Sequence, residues 1–188
     1  SAAVLEALPS PAPELRWGGL ELDRRPLELA LAQPEFRSSW SPSVLQILEQ
    51  MRDHGGWHHN RSSGELLWGD ARRMLQEIPG DQRFDLILQD AFSPQRCPEL
   101  WTEEFLADLA GRLAAGGRLL TYSRSAAVRA SLRRNGLTLL SLLPAPGERP
   151  GWSSGTMAVR PGAPIPVAGP GWRARVAMEE AHLPTRAA

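Results

Sequence analysis

Hydrophobic residues in this chain fall into short apolar runs separated by longer amphipathic stretches, and the alternation is most regular from residue 64 onward. Leu66–Trp68 reads as a short strand, Asp70 as the cap of a helix to about Ile78, and Phe84–Gln89 (FDLILQ) as a run of buried-strand type. Residues 91–101 form a proline-containing connection. Thr102 caps a helix to Leu113, Ala115-Gly116-Gly117 breaks it, and Arg118–Tyr122 makes the next strand. Ser125–Arg134 is a helix ended by Asn135-Gly136, Leu137–Leu143 is a strand, and a last strand falls at Thr156–Arg160. Upstream the pattern is less even. Residues 2–8 (AAVLEAL) read as the end of a helix stopped by the stretch Pro9–Pro13, and residues 15–22 (LRWGGLEL) as a strand with Glu21 at its carboxyl end. A helix starts near Pro26, residues 33–42 are irregular, and Ser43–Arg52 is a short amphipathic helix ending at Gly55-Gly56. His54, His58 and His59 lie near that turn and read as a polar, solvent-facing turn, because no second cluster of Cys, Asp or His completes a metal set.

Strands alternating with helices of this length imply an α/β fold, a mostly parallel twisted sheet with helices on both faces. Such sheets bind ligands beyond the carboxyl ends of their strands. The polar residues that end strands are Glu21, Asp70 and Asp90. Each has a plainer reading: Glu21 supports the following helix, Asp70 is a helix cap, and Asp90 anchors its loop. Their joint placement favours a nucleotide-type ligand, since a carboxylate after the second strand can accept both protons of a ribose diol.

Composition narrows the chemistry. A length of 188 residues with 42% hydrophobic content suits one globular domain, and no apolar run approaches the ~20 residues that span a bilayer. With no basic leader followed by an apolar stretch, the chain reads as cytoplasmic, with no membrane partner. All 21 basic residues are arginine, which excludes Schiff-base and P-loop lysine chemistry. They balance 21 acidic residues, so any RNA-binding surface must be a local arginine patch. The single cysteine, Cys97, has no disulfide or metal partner, and no metal is expected. The regular pattern fades after residue 160, which divides the chain into a domain over 1–160 and a Pro- and Gly-rich, poorly ordered tail over 161–188.

One segment adds a resemblance. DAFSPQRCPELWT at 90–102 is similar to the signature loop of the MnmC-type methyltransferase family, whose members modify the wobble uridine of tRNA at the aminomethyl group on C5. LELD at 20–23, GDAR at 69–72, FDLILQDAFSP at 84–94, GGRLLTYS at 116–123 and AAVRASLRRNGL at 126–137 extend it over most of residues 1–160. The DAFSP and PELWT pair carries the specificity, because acids after strands are common to many Rossmann-like transferases. The resemblance implies a Rossmann-like class I methyltransferase fold, S-adenosylmethionine as cofactor and tRNA as substrate. Cofactor contacts then fall to Glu21 (ribose hydroxyls), Asp70 (adenine amino group), the Ala71 N–H, and Asp90 (methyl donor and incoming amine), with Asp90 and Phe92 as the catalytic pair. Phe92 would stack on the uridine, and Trp101 and Tyr122 read as packing or pocket wall.

The same resemblance places a first strand and a Gly-rich loop ahead of the helix matching SAAVLEAL. Neither is in this sequence. That strand would be the central one, so two neighbours would each lose a ladder, and the 188 residues alone are expected to bind the cofactor poorly. Micromolar affinity by calorimetry would refute that expectation. Two further departures stand out: Gln89 replaces an apolar residue before the aspartate, and no basic motif is evident in ERPGWSSGTMAV. No FAD-binding oxidase domain is present, so a separate FAD-dependent or other enzyme would act upstream. Two other functions share these features, an aminopropyl or small-molecule transferase on the same fold and a degenerate, non-catalytic domain that binds RNA or protein.

Overall fold

The computed structural model describes residues 5–6, 14–59, 61–142, 155–162 and 176–178. Its contacts divide the chain into two compact units, Ser1–Ile78 and Pro79–Ala188.

The first unit is a three-stranded sheet with helices. Its elements are β1 (Arg16–Glu21), α1 (Arg25–Ala32), α2 (Pro34–Ser38), α3 (Pro42–His54), β2 (Gly56–His59), β3 (Ser62–Trp68) and α4 (Ala71–Glu77). β1 runs parallel to β3, with Glu21 opposite Trp68, and β2 joins the other side of β3 antiparallel. α3 follows directly from its pattern. Val44, Ile47, Leu48 and Met51 sit at helical spacing and are all buried, Pro42 opens the helix, and Gly55 closes it at φ 70° with its N–H donating to the Met51 carbonyl at 3.0 Å. These side chains pack with Leu5, Leu31, Trp57 and Leu66 into one core. Burial of each such side chain stabilises the unit by roughly 1.5–3 kcal/mol. Trp57 lies across Gly64, its partner in the β2–β3 register, and the space where a Cβ of Gly64 would sit is taken by the indole.

Two elements differ from the sequence reading. The polar turn at His58 and His59 is instead the edge strand β2, whose polar residues are exposed while Trp57 alone points inward. Its edge is blunted locally: the His58 N–H donates to the Gln50 side chain at 3.1 Å. The irregular stretch after residue 33 contains α2, one turn opened by Pro34. Leu5 and Glu6 are helical, and the rest of the AAVLEAL segment lies outside the described residues.

The second unit contains β4 (Phe84–Gln89), a 3₁₀ turn (Pro98–Trp101), α5 (Glu103–Gly111), β5 (Leu113–Thr121), α6 (Ala126–Arg134), β6 (Thr138–Leu142), β7 (Gly155–Val159) and β8 (Val176–Met178). The strand order is β4-β5-β7-β6-β8. β4 and β5 are parallel, and the other pairings are antiparallel, so the sheets are mixed within an α/β architecture. Leu106 and Leu132 of the helices and Leu119 and Ala158 of the sheet are fully buried. Strand β5 starts five residues before the expected Arg118. It runs through Ala115-Gly116-Gly117 because the pairing with β4 shifts register there, Gly116 takes φ 74°, and the 116–117 backbone bonds with Arg160 at 3.0 and 2.9 Å. The Arg160 guanidinium also donates to the Ala110, Gly111 and Leu113 carbonyls at 2.9, 3.2 and 3.3 Å, closing the end of α5. From residue 161 onward, 161–162 and the three residues of β8 are described, and the remaining tail lies outside the described residues.

Among the described strands, β1 pairs only with β3, and β4 only with β5. No described helix is long and apolar enough to cross a membrane.

Candidate active site

In the second unit the carboxyl end of β4 leads straight into the acid singled out by the sequence. Gln89, the last residue of β4, is 8% exposed, and its side-chain amide donates to the Leu100 carbonyl at 2.8 Å. The polar residue that departs from the apolar expectation therefore ties the start of the connection to its end. Asp90 follows and is exposed. The Ser93 carbonyl accepts from the Arg96 and Cys97 N–H groups at 2.8 and 2.9 Å, and the 3₁₀ turn then delivers Trp101. Thr102 caps α5, its hydroxyl accepting from the Phe105 N–H at 3.3 Å.

Two side chains hold the backbone just after Asp90. The Tyr122 hydroxyl, beyond the end of β5, donates to the Ala91 carbonyl at 2.8 Å. The Trp101 indole N–H donates to the Phe92 carbonyl at 2.7 Å. The two rings meet edge to face, with centroids 5.8 Å apart and planes at 78°. Burial, and then the Asp90 and Cys97 charges, raise the pKa of the Tyr122 hydroxyl above its ordinary value, so it remains a donor at neutral pH. Phe92 itself is 70% exposed, with the Arg96 guanidinium 5.3 Å from its ring centre. Phe92 therefore presents an exposed apolar ring on a backbone fixed by two hydrogen bonds, whereas Trp101, 8% exposed, is buried.

In the first unit, β1 and β3 bring Glu21 and Asp70 to one end of two adjacent parallel strands. The Gly69 N–H donates to the Glu21 carbonyl at 2.9 Å, extending the ladder, and Gly69 takes φ 143° to turn into α4. Asp70 caps that helix by accepting from the Arg72 N–H at 3.0 Å, and it also receives the Arg72 guanidinium at 3.0 and 2.5 Å. The Arg72 side chain first, and its N–H second, lower the Asp70 carboxyl to about 2. Ala71, the first residue of α4, has an N–H outside the intrahelical ladder. Arg24 lies 4.9 Å from the Trp68 ring centre nearby.

The five residues named from the sequence thus stand as two groups, Glu21 with Asp70 and Ala71, and Asp90 with Phe92. All lie at or just beyond carboxyl ends of parallel strands. What the sequence did not reveal are the roles of Gln89, Trp101 and Tyr122 as donors to the loop backbone, contacts that span 9 to 31 residues. His54, His58 and His59 are not joined by other ligands, and among the described residues no group of three or more His, Cys, Asp or Glu is placed to hold a metal ion.

Comparison with known proteins gives a consistent picture. The bifunctional tRNA 5-methylaminomethyl-2-thiouridine biosynthesis protein MnmC of Pseudomonas putida is 33% identical over 136 residues, covering 70% of this chain and 20% of that protein. Its counterpart in Azoarcus sp. is 35% identical over 109 residues, covering 58% of this chain and 16% of that protein. The chain therefore spans about a fifth or less of these relatives. The crystal structure of MnmC2 from Aquifex aeolicus matches 80% of this chain and 55% of its own, with 26% identity and a TM-score of 0.58. The model of the S-adenosyl-L-methionine-dependent methyltransferase family matches residues 34–156. The chain belongs to the S-adenosyl-L-methionine-dependent methyltransferase family and carries an MnmC-like methyltransferase domain of Rossmann-like α/β fold.

Proposed function

We propose that this chain transfers the methyl group of S-adenosylmethionine to the primary amine of an aminomethyl substituent on the wobble uridine of tRNA. The observation that carries the reading is the pairing of an exposed carboxylate, Asp90, with an exposed ring, Phe92, two residues apart on a backbone held in place. A stacked uridine would bring its substituent beside that carboxylate.

The residues fit the cofactor. Glu21 ends β1 with a carboxylate, whose two oxygens suit a ribose diol. Asp70 already accepts three hydrogen bonds from Arg72, which leaves about one of its roughly four acceptor positions for an adenine amino group. The Ala71 N–H is available to a ring nitrogen. When bound, the cofactor supplies an electrophilic sulfonium methyl.

The protein's share is alignment and proton handling. The amine must arrive unprotonated, so that its lone pair forms the new N–C bond as the methyl–sulfur bond breaks and sulfur keeps that electron pair. Asp90 accepts a hydrogen bond from the amine N–H and then takes the proton released by nitrogen, directly or through one water. Phe92 and its stacked base exclude water from one side. The substrate is a tRNA whose uridine already carries a free aminomethyl group.

The test uses the protein in its native gene context, with labelled S-adenosylmethionine and tRNA that lacks the terminal methyl. Wild type should place label in tRNA, and Asp90→Ala should not, while the exposed position of Asp90 keeps the fold intact. Equal labelling by both proteins removes Asp90 from the chemistry. Label that appears instead in a free polyamine or another small amine favours a small-molecule transferase.

A further inference from the structure

The connection from Asp90 to Trp101 is bound to its surroundings by side chains whose purpose packing alone does not explain. Tyr122 is 46% exposed, so its ring adds little to the core, yet its hydroxyl donates to the Ala91 carbonyl at 2.8 Å. Trp101 is buried and donates to the next carbonyl, that of Phe92, at 2.7 Å. Gln89, buried at the start, donates to Leu100 near the end at 2.8 Å. Two successive carbonyls are thus fixed by side-chain donors, and they belong to the peptides on the two sides of the Phe92 Cα. Fixing both peptides sets the direction in which the Phe92 side chain leaves the backbone, and it anchors the chain one residue after Asp90. The two donors also brace each other edge to face at 5.8 Å, so one hydroxyl and one indole act as a single support.

We infer that Tyr122 and Trp101 are positioning residues, which hold the Asp90–Phe92 backbone in the geometry that receives the substrate base. This rests on the function proposed above. Neither residue needs to touch the base. Loss of one donor leaves the Ala91 carbonyl free to take water instead, because this edge of the molecule is exposed, and the loop then samples orientations that present ring and carboxylate apart. A hydrogen bond of this kind shifts such an equilibrium by about fivefold.

The variant that isolates the effect is Tyr122→Phe, which keeps the ring edge against Trp101 and removes only the hydroxyl. Two measurements are made on the protein in its native gene context. In ligand-free protein, hydrogen exchange of the segment 90–101 should speed up about fivefold in the variant, while α5 and α6 exchange as in wild type. In the tRNA methylation assay, KM for tRNA should rise about fivefold with thermal melting unchanged, whereas a misfolded fraction would lower kcat and leave KM alone. Wild-type exchange in the segment overturns the inference. Faster exchange with unchanged tRNA kinetics also overturns it, since the clamp then serves no reaction. If wild type transfers no label to tRNA, the proposed function fails, and the exchange result alone decides the clamp. Trp101→Phe, which removes the indole donor, should accelerate the same segment.

Discussion

Truncation of Phe92 separates a binding role from a structural one, because the two predict effects of opposite rank. The ring is 70% exposed, so only about a third of its surface is withdrawn from water, and Phe92→Ala forfeits about a third of a full side-chain burial of roughly 1.5–3 kcal/mol. Loss of the exposed Arg96 contact adds about 0.5 kcal/mol. The total is about 1 kcal/mol, against roughly 3–5 kcal/mol for an aromatic ring removed from a core. It corresponds to a fall of about 2–4 °C in melting temperature. If the ring stacks on the target base, its removal costs about 1–3 kcal/mol of RNA binding, a rise of roughly 5- to 150-fold in KM for tRNA. The assay is methyl transfer over a range of tRNA concentrations, paired with a circular-dichroism melt, and Phe92→Tyr should restore most of the affinity. An unchanged KM for tRNA, or a melt lowered as far as a core truncation would lower it, refutes the stacking role.

Two further outcomes concern the first unit. Gly64→Ala places a methyl where the Trp57 indole lies, and Trp57 is 3% exposed, so the ring has no free volume to move into. The variant should lose about 1–3 kcal/mol in urea unfolding, and an unchanged midpoint would contradict the packing described. Asp70 has a folded pKa lowered to about 2, so it is ionised at lower pH in the folded chain than in the unfolded one. Its contribution to stability is fully present above the ordinary value of 3.8 and is lost as pH falls through about 2. Asp70→Asn, which keeps a capping oxygen, should be slightly less stable than wild type at neutral pH and converge with it toward pH 2 in denaturant titrations. A gap that persists at low pH would assign the effect to the cap and not to the Arg72 pair.

Much of the fold that carries the candidate residues was legible because local signals were strong. FDLILQ gives β4 to the residue, and Asp70 and Thr102 announce their helices through side-chain oxygens that serve the first turn. The strand-end acids could be read because chain direction fixes which end of a parallel strand each occupies. Elements with weak local signatures were lost. β2 reads GWHH, with a single inward residue and exposed polar neighbours, so its pattern matches a turn as well as a strand. α2, PEFRS, is too short to show a helical period. In β5 the glycines that normally end an element instead permit a register shift within one, since a Cβ at Gly117 would lie 2.8 Å from the Phe84 carbonyl. Gln89 stood out as a polar residue at an apolar position, but its partner and those of Trp101 and Tyr122 had no signal, because each joins a donor to a backbone carbonyl, and every residue has one.

The one Arg160 nitrogen that reaches three carbonyls has a practical side. These 188 residues contain no lysine, so one arginine changed to lysine would give them a single ε-amine for amine-directed dyes or cross-linkers, beside the terminal α-amine. Arg160 is a poor choice, because coupling a dye to an amine there would occupy the one nitrogen that reaches the three carbonyls closing α5, and Arg134, bidentate on Glu103 at 2.7 and 2.8 Å, is little better. Arg96 is the informative one. It is exposed beside Phe92, and an environment-sensitive dye attached at that position would report arrival of RNA at the ring.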